Sequence, residues 1–101
     1  MAKSKITVEW SVAAFLHFDE ILEHLFKESE VAATIVGNTI LNEVKQLPQY
    51  FNAHPLDRFK RNNDGHYRAF MVYSYRISYY VNESTIYVLR IRHTSREPLD
   101  H

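Results

Sequence analysis

The spacing of apolar side chains changes twice along the chain, and each change marks a new kind of element. Ile6 to Trp10, I-T-V-E-W, alternates apolar and polar residues as a strand does. From Ser11 to about Glu28 the apolar residues recur at three and four positions: Ala14, Phe15, Phe18, Ile21, Leu22, Leu25 and Phe26 form one stripe, with Asp19, Glu20, Glu23 and Lys27 off it. Ser11 is placed to accept from the unpaired amides of that helix's first turn. Ser29 has the same place before a second helix reaching about Leu47, where Ala32, Ile35, Val36, Ile40, Val44 and Leu47 repeat the stripe and Pro48 supplies the stop. Gly37 inside this helix costs about 1 kcal/mol relative to Ala, which points to a close helix contact. Two adjacent amphipathic helices make a hairpin.

Periodicity is lost between Gln49 and Gly65, where Pro55, Asn52, Asn62, Asn63 and Asp64 collect as turn formers. Connections of this length often carry function, and this one holds Arg58, Lys60 and Arg61. Three strands are predicted beyond it, His66 to Val72, Tyr75 to Val81 and Thr85 to His93, joined by Tyr73-Ser74 and by Asn82-Glu83-Ser84. The expected fold is α+β: an N-terminal strand and a helical hairpin packed on an antiparallel sheet of about four strands, in one domain over residues 1–101.

Alternation along these strands assigns two faces. Tyr67, Ala69 and Met71, then Tyr75, Ile77, Tyr79 and Val81, then Tyr87, Leu89 and Ile91 are expected on an apolar face against the helices. The other side carries Arg68, Phe70 and Val72, then Arg76, Ser78 and Tyr80, then Arg90 and Arg92. Arginines opposite one another destabilise a sheet, so their convergence implies an anionic ligand. The structural alternative is that register spreads them apart, or that Asp64, Glu83 and Glu97 pair with them.

Charge sharpens this picture. The net charge is zero, yet residues 1–50 hold four lysines and no arginine against seven acids, while residues 51–101 hold eight basic residues against five acids. Such a split fits an anionic partner, nucleic acid or an acidic protein segment, as well as a merely solvated basic surface. Without cysteine there is no disulfide framework and no thiolate chemistry. No apolar run reaches signal-peptide or membrane-spanning length, so a soluble, cytoplasmic protein without membrane contact is expected. Only Gly37 and Gly65 occur, which excludes a glycine-rich phosphate loop. His17 and His24 lie seven apart among acids on the first helix and are expected to be exposed helix residues rather than metal ligands; no metal or cofactor is called for.

V-E-W-S at Val8 to Ser11, Y-R-A-F at Tyr67 to Phe70, Y-R-I-S-Y at Tyr75 to Tyr79 and I-Y-V-L-R-I-R-H-T-S-R-E-P at Ile86 to Pro98, in this order, resemble the RelE/ParE superfamily of toxins from bacterial type II toxin–antitoxin modules, which includes many plasmid-stabilisation proteins. The resemblance implies one fold and two activities. RelE-like members cut messenger RNA in the ribosome; ParE-like members poison DNA gyrase. Either kind is neutralised by a cognate antitoxin wrapped around it in a hetero-oligomer.

Ribonuclease chemistry, attack of a ribose 2′-hydroxyl on the adjacent phosphate, needs a proton acceptor, cations and a proton donor. His93 and Arg96 are the catalytic candidates for that reading, with Arg92, Arg68 and Lys60 as further cations. Arg92 and His93 are neighbours, however, and an unbroken strand sends them to opposite faces; His93 reads equally as a strand-end histidine bonded to backbone or packed on a tyrosine. The chain also lacks the late tyrosine of RelE-like nucleases, and its R-H-T-S-R-E-P ending is closer to the ParE branch. The expectation is therefore a ParE-like gyrase inhibitor with an anion-binding set of Lys60, Arg61, Arg68, Arg76, Arg90 and Arg92. The alternatives are a RelE-like endoribonuclease and a non-catalytic RNA- or protein-binding module whose tyrosines stack bases.

Overall fold

The computed structural model describes residues 5–96. Ser11 ties three elements together. Its Oγ accepts the Ala14 N–H at 3.0 Å and so caps α1 (Val12–Glu28); the same hydroxyl donates to the Leu89 carbonyl at 2.8 Å. Its own N–H donates to the Val88 carbonyl at 2.9 Å, where β1 (Thr7–Trp10) has just ended. Ser29 repeats the device between helices: its N–H bonds the Leu25 carbonyl, and its Oγ accepts the Ala32 N–H at 3.1 Å to start α2 (Glu30–Lys45). The two helices approach closely at Gly37, where an added Cβ would lie 2.9 Å from Leu22 Cδ2.

Helix α2 stops at Lys45, ahead of the expected Leu47, and Pro48 is not its terminator. Pro48 sits in the first turn of a short helix α3 (Leu47–Tyr50), where a missing N–H removes no bond. A 3₁₀ turn follows at Phe51–Ala53.

Strands β2 (Tyr67–Val72), β3 (Tyr75–Val81) and β4 (Thr85–His93) form the antiparallel meander, and the sheet order is β1-β4-β3-β2. β1 adds to β4 in parallel, from Thr7 opposite Thr85 to Trp10 opposite Val88, so the four-stranded sheet is mixed rather than purely antiparallel. A parallel return requires a crossover, and the helical hairpin lies within it.

The hairpin covers one face of the sheet. Ala14, Ile40, Val44 and Leu47 pack on Phe70, Val72, Tyr75, Ile77, Tyr79, Ile86, Val88 and Ile91. Phe70 and Val72 stand opposite Ile77 and Tyr75, which places them in the core and corrects the expected facing of β2. Tyr67, Ala69 and Met71 face out instead. In β4 the register breaks: Ser78 pairs with Arg90 but Tyr79 with Val88, leaving Leu89 as the extra residue of a bulge. The bulge reverses alternation, so Ile86, Val88 and Ile91 all reach the core and Tyr87 joins the outer face.

Gly37→Val should lose about 1 kcal/mol of stability, since its Cβ alone would stand 2.9 Å from Leu22 Cδ2 and the end of that side chain must turn aside. Urea unfolding measures this, and an unchanged midpoint would show that the hairpin contact is soft.

A cationic and aromatic outer face

Three cross-strand rows make up the outer face of the meander. Register aligns Met71, Arg76 and Arg92 in the first, Ala69, Ser78 and Arg90 in the second, and Tyr67, Tyr80 and Tyr87 in the third. The tyrosines contact one another, with ring centroids 4.8 Å apart for Tyr67 and Tyr80 in an edge-to-face arrangement and 6.5 Å for Tyr80 and Tyr87; His66 lies 5.6 Å from Tyr80. Sequence alternation brought Arg76, Arg90 and Arg92 together correctly and missed two of the three tyrosines beside them.

Arg76 and Arg92 are directly opposed, a repulsive placement that a buried carboxylate relieves. Asp57 Oδ1 lies 2.6 Å from Arg76 Nη2, with the Asp57 side chain fully buried and that of Arg76 only 11% exposed. The same oxygen accepts the Phe59 N–H at 3.0 Å. Asp57 was absent from the sequence-based set of partners; Asp64, which was in it, spends Oδ1 on the His66 N–H. Glu97 lies outside the described residues. On the neighbouring row, Arg90 Nε is buried without a hydrogen-bond partner among the described residues.

Asp57 also explains the long connection. Residues 55–57 run antiparallel along the free edge of β2, with Leu56 bridging Arg68, Asp57 N–H donating to the Tyr67 carbonyl at 2.9 Å and Ala69 N–H donating to the Pro55 carbonyl at 3.2 Å. Asn63 closes the segment: its Nδ2 donates to the carbonyls of Tyr67 and Asp57, and its Oδ1 accepts the N–H groups of Gly65 and Tyr67. The loop is thus bonded down as part of the sheet. Its cations lie along aromatic rings: Arg58, together with Arg76 of β3, sits 4.7 Å from the Phe59 centroid, and Lys60 Nζ sits 4.6 Å from that of Tyr67. Arg61 is exposed on the same connection.

Two expected members of the site are elsewhere. Arg68 pairs with Tyr79 in register and lies on the hairpin side of the sheet, where its Nη1 donates to the His54 carbonyl. There the His54 ring stacks on Phe70 at 4.7 Å, and burial, aided by Arg68 and opposed by Glu43, lowers its pKa below the ordinary value. Tyr79 donates its hydroxyl proton to the Phe51 carbonyl, and burial raises its pKa above the usual range despite Arg68. His93 likewise faces away from Arg92. It stands opposite Tyr75, packs edge-on against that ring at 5.4 Å, accepts the Ser95 N–H at 3.1 Å through Nδ1, and has Ser95 Oγ 2.8 Å from the same nitrogen. Arg96 ends the 3₁₀ turn Thr94–Arg96, and its side chain lies outside the described residues. Among the described residues no cluster of acidic or histidine side chains is arranged to hold a metal, and no helix is long and apolar enough to cross a membrane.

The family profile described as ParE toxin of type II toxin–antitoxin system, parDE, matches residues 8–98. Comparison with curated protein sequences finds no match. Among solved structures, one titled "Chromosomal ParDE TA system from P. aeruginosa" superposes with a TM-score of 0.71 at 20% identity, over 90% of this chain and 98% of that chain.

Asp57→Ala should destabilise the fold by about 3 kcal/mol or more, because it leaves Arg76 beside Arg92 without its carboxylate in a desolvated position. Pairing it with Arg76→Met should recover a large part of that loss in denaturant unfolding. If the single variant is as stable as the parent, Asp57 does not hold the loop.

Proposed function

The chain belongs to the ParE toxin family of type II toxin–antitoxin systems, and from that premise we propose that it acts in the cytoplasm as a single toxin domain that inhibits DNA gyrase and is silenced by a cognate antitoxin. The observation that carries this over the nuclease reading is the separation of His93 from the arginines. A cleaving site needs its acid or base within hydrogen-bond reach of the phosphate that the cations hold. His93 is on the hairpin side of the sheet, against Tyr75, while Arg76 and Arg90 are on the outer side; Arg92 alternates to that side as well, at the strand end where it also borders the cavity that His93 lines. Asp57, the one carboxylate buried at that face among the described residues, is engaged with Arg76. The outer face therefore has the makings of a recognition surface, with cations held in place by packing, rather than of an acid–base centre.

The hairpin offers a separate surface for the antitoxin. Phe15, Leu16, Phe26, Val31, Ile35 and Leu41 are all exposed, and a shallow groove between the helices is floored by Leu22, Ala33 and Gly37. An amphipathic antitoxin segment laid there would cover apolar area that a solitary protein seldom exposes. Arg90 and Arg92 are on the opposite side of the sheet from this groove, so acidic residues that meet them would come from a further part of the antitoxin wrapped round the sheet edge.

A second reading, a non-catalytic RNA-binding module, draws on the row Tyr67, Tyr80 and Tyr87 beside Arg90, since aromatic rings next to cations stack single-stranded bases.

The purified protein should inhibit gyrase supercoiling of a relaxed plasmid, His93→Ala should inhibit equally, and Arg90→Glu combined with Arg92→Glu should inhibit less. Full gyrase activity in the presence of folded, soluble protein would overturn the proposal. Selective retention of single-stranded RNA, lost in Tyr80→Leu, would move the assignment to the second reading.

A further inference from the structure

β1 covers β4 only as far as Val88, so among the described residues no strand lies beside that edge of the sheet from Leu89 to His93. Helix α1 takes over with side chains. Ser11 Oγ donates to the Leu89 carbonyl at 2.8 Å, and one step further the Ile91 N–H donates to His17 Nδ1 at 3.2 Å. His17, expected to be an exposed helix residue, is half-buried instead and stands in for a missing strand.

An imidazole nitrogen accepts a hydrogen bond only while it carries no proton. The contact therefore specifies the neutral ring with its hydrogen on Nε2, and an imidazolium, which has two donors and no acceptor, cannot make it. We infer that His17 is a pH-released latch: its neutral ring fastens the end of β4 to α1, and protonation frees the Ile91 amide and opens the strand edge beside it. An edge opened in this way is a template for pairing with another strand.

The surroundings fit a ring held neutral. His17 lines a 690 Å³ cavity between α1 and the ends of β3 and β4. Burial lowers its pKa from the ordinary 6.5, Arg92 and Arg90 of β4 lower it further, and Glu20 on α1 opposes them. Glu20 and Arg92 line the same cavity, and the other titratable groups facing it are His24 on α1, which is 3.1 Å from Glu28, Tyr75 of β3 and His93 of β4. Because the folded-state pKa is depressed, the stability tied to this contact is intact above about pH 6.5 and is lost as the pH falls through the lowered value. The latch concerns the joint between α1 and β4 and is independent of any gyrase assay.

The test is a pH titration of the isotopically labelled protein followed by nuclear magnetic resonance, with amide exchange expressed as protection relative to the unstructured rate. The His17 ring should titrate below pH 6.5. The Ile91 amide shift should move with the same midpoint, and its protection should fall about tenfold between pH 7.5 and pH 5, the scale of one lost hydrogen bond. His17→Asn, whose Oδ1 occupies the acceptor position without titrating, should keep Ile91 protected at both pH values. An Ile91 amide that ignores the His17 midpoint, or a His17 ring that titrates at or above 6.5, would overturn the latch. So would an unchanged pH response in His17→Asn, which would assign it to His24, His93 or Glu20. The wild-type titration decides the matter by itself if the variant does not fold.

Discussion

One surplus residue in the last strand decides what each side of this sheet can do. Without the bulge at Leu89, strict alternation would send Arg90 and Arg92 to the same side as Ile86 and Val88, into the core beneath the hairpin. With it, Ile91 takes the next core position and both arginines emerge beside Arg76. The irregular stretch is also where the rest of the fold attaches: Ser11 bonds the Val88 and Leu89 carbonyls there, and His17 takes the Ile91 amide. The sites of attachment and the cationic face are therefore set by the same few residues of β4.

Concentrating arginines on one face has a cost, and the connection between α3 and β2 offsets it. Burying a carboxylate and a guanidinium is expensive unless they are paired and their remaining polar atoms are engaged. The Asp57 contact with Arg76 and the Phe59 amide on the same carboxylate oxygen offset part of that cost, while the Asn63 bonds to the Asp57 and Tyr67 carbonyls tie the connection to the edge of β2. One consequence is a floor of rings and cations, Phe59 with Arg58 and Arg76, and Tyr67 with Lys60. Another is that the sheet is covered on its hairpin side by apolar packing and fringed on the other by a polar, hydrogen-bonded loop.

Features that depend on local chemistry were legible in the sequence. Ser11 and Ser29 cap the helices they precede, the meander strands fall within a residue of their predicted limits, and the Gly37 close contact is present. Features that depend on which strand lies beside which were not. Arg68 was grouped with the wrong face because alternation within β2 does not say which parity meets the helices; the pair Phe70 and Val72 was the signal, since both are apolar at core spacing. Tyr87 was misplaced because a bulge leaves only a faint trace, here the apolar residues Val88 and Ile91 three apart. Asp57 was overlooked as one more acid, although an isolated carboxylate just ahead of a long basic run is where a charge partner is needed. The parallel addition of β1 has no local signature at all.

On the proposed reading, His93 and the arginine face, on different sides of the sheet, do not combine into a cleaving site. Mapping messenger RNA 5′ ends on translating ribosomes incubated with the purified, folded protein tests it most directly. The same ends are expected with and without protein. New cuts at fixed codon positions that vanish in His93→Ala would contradict it and make His93 catalytic.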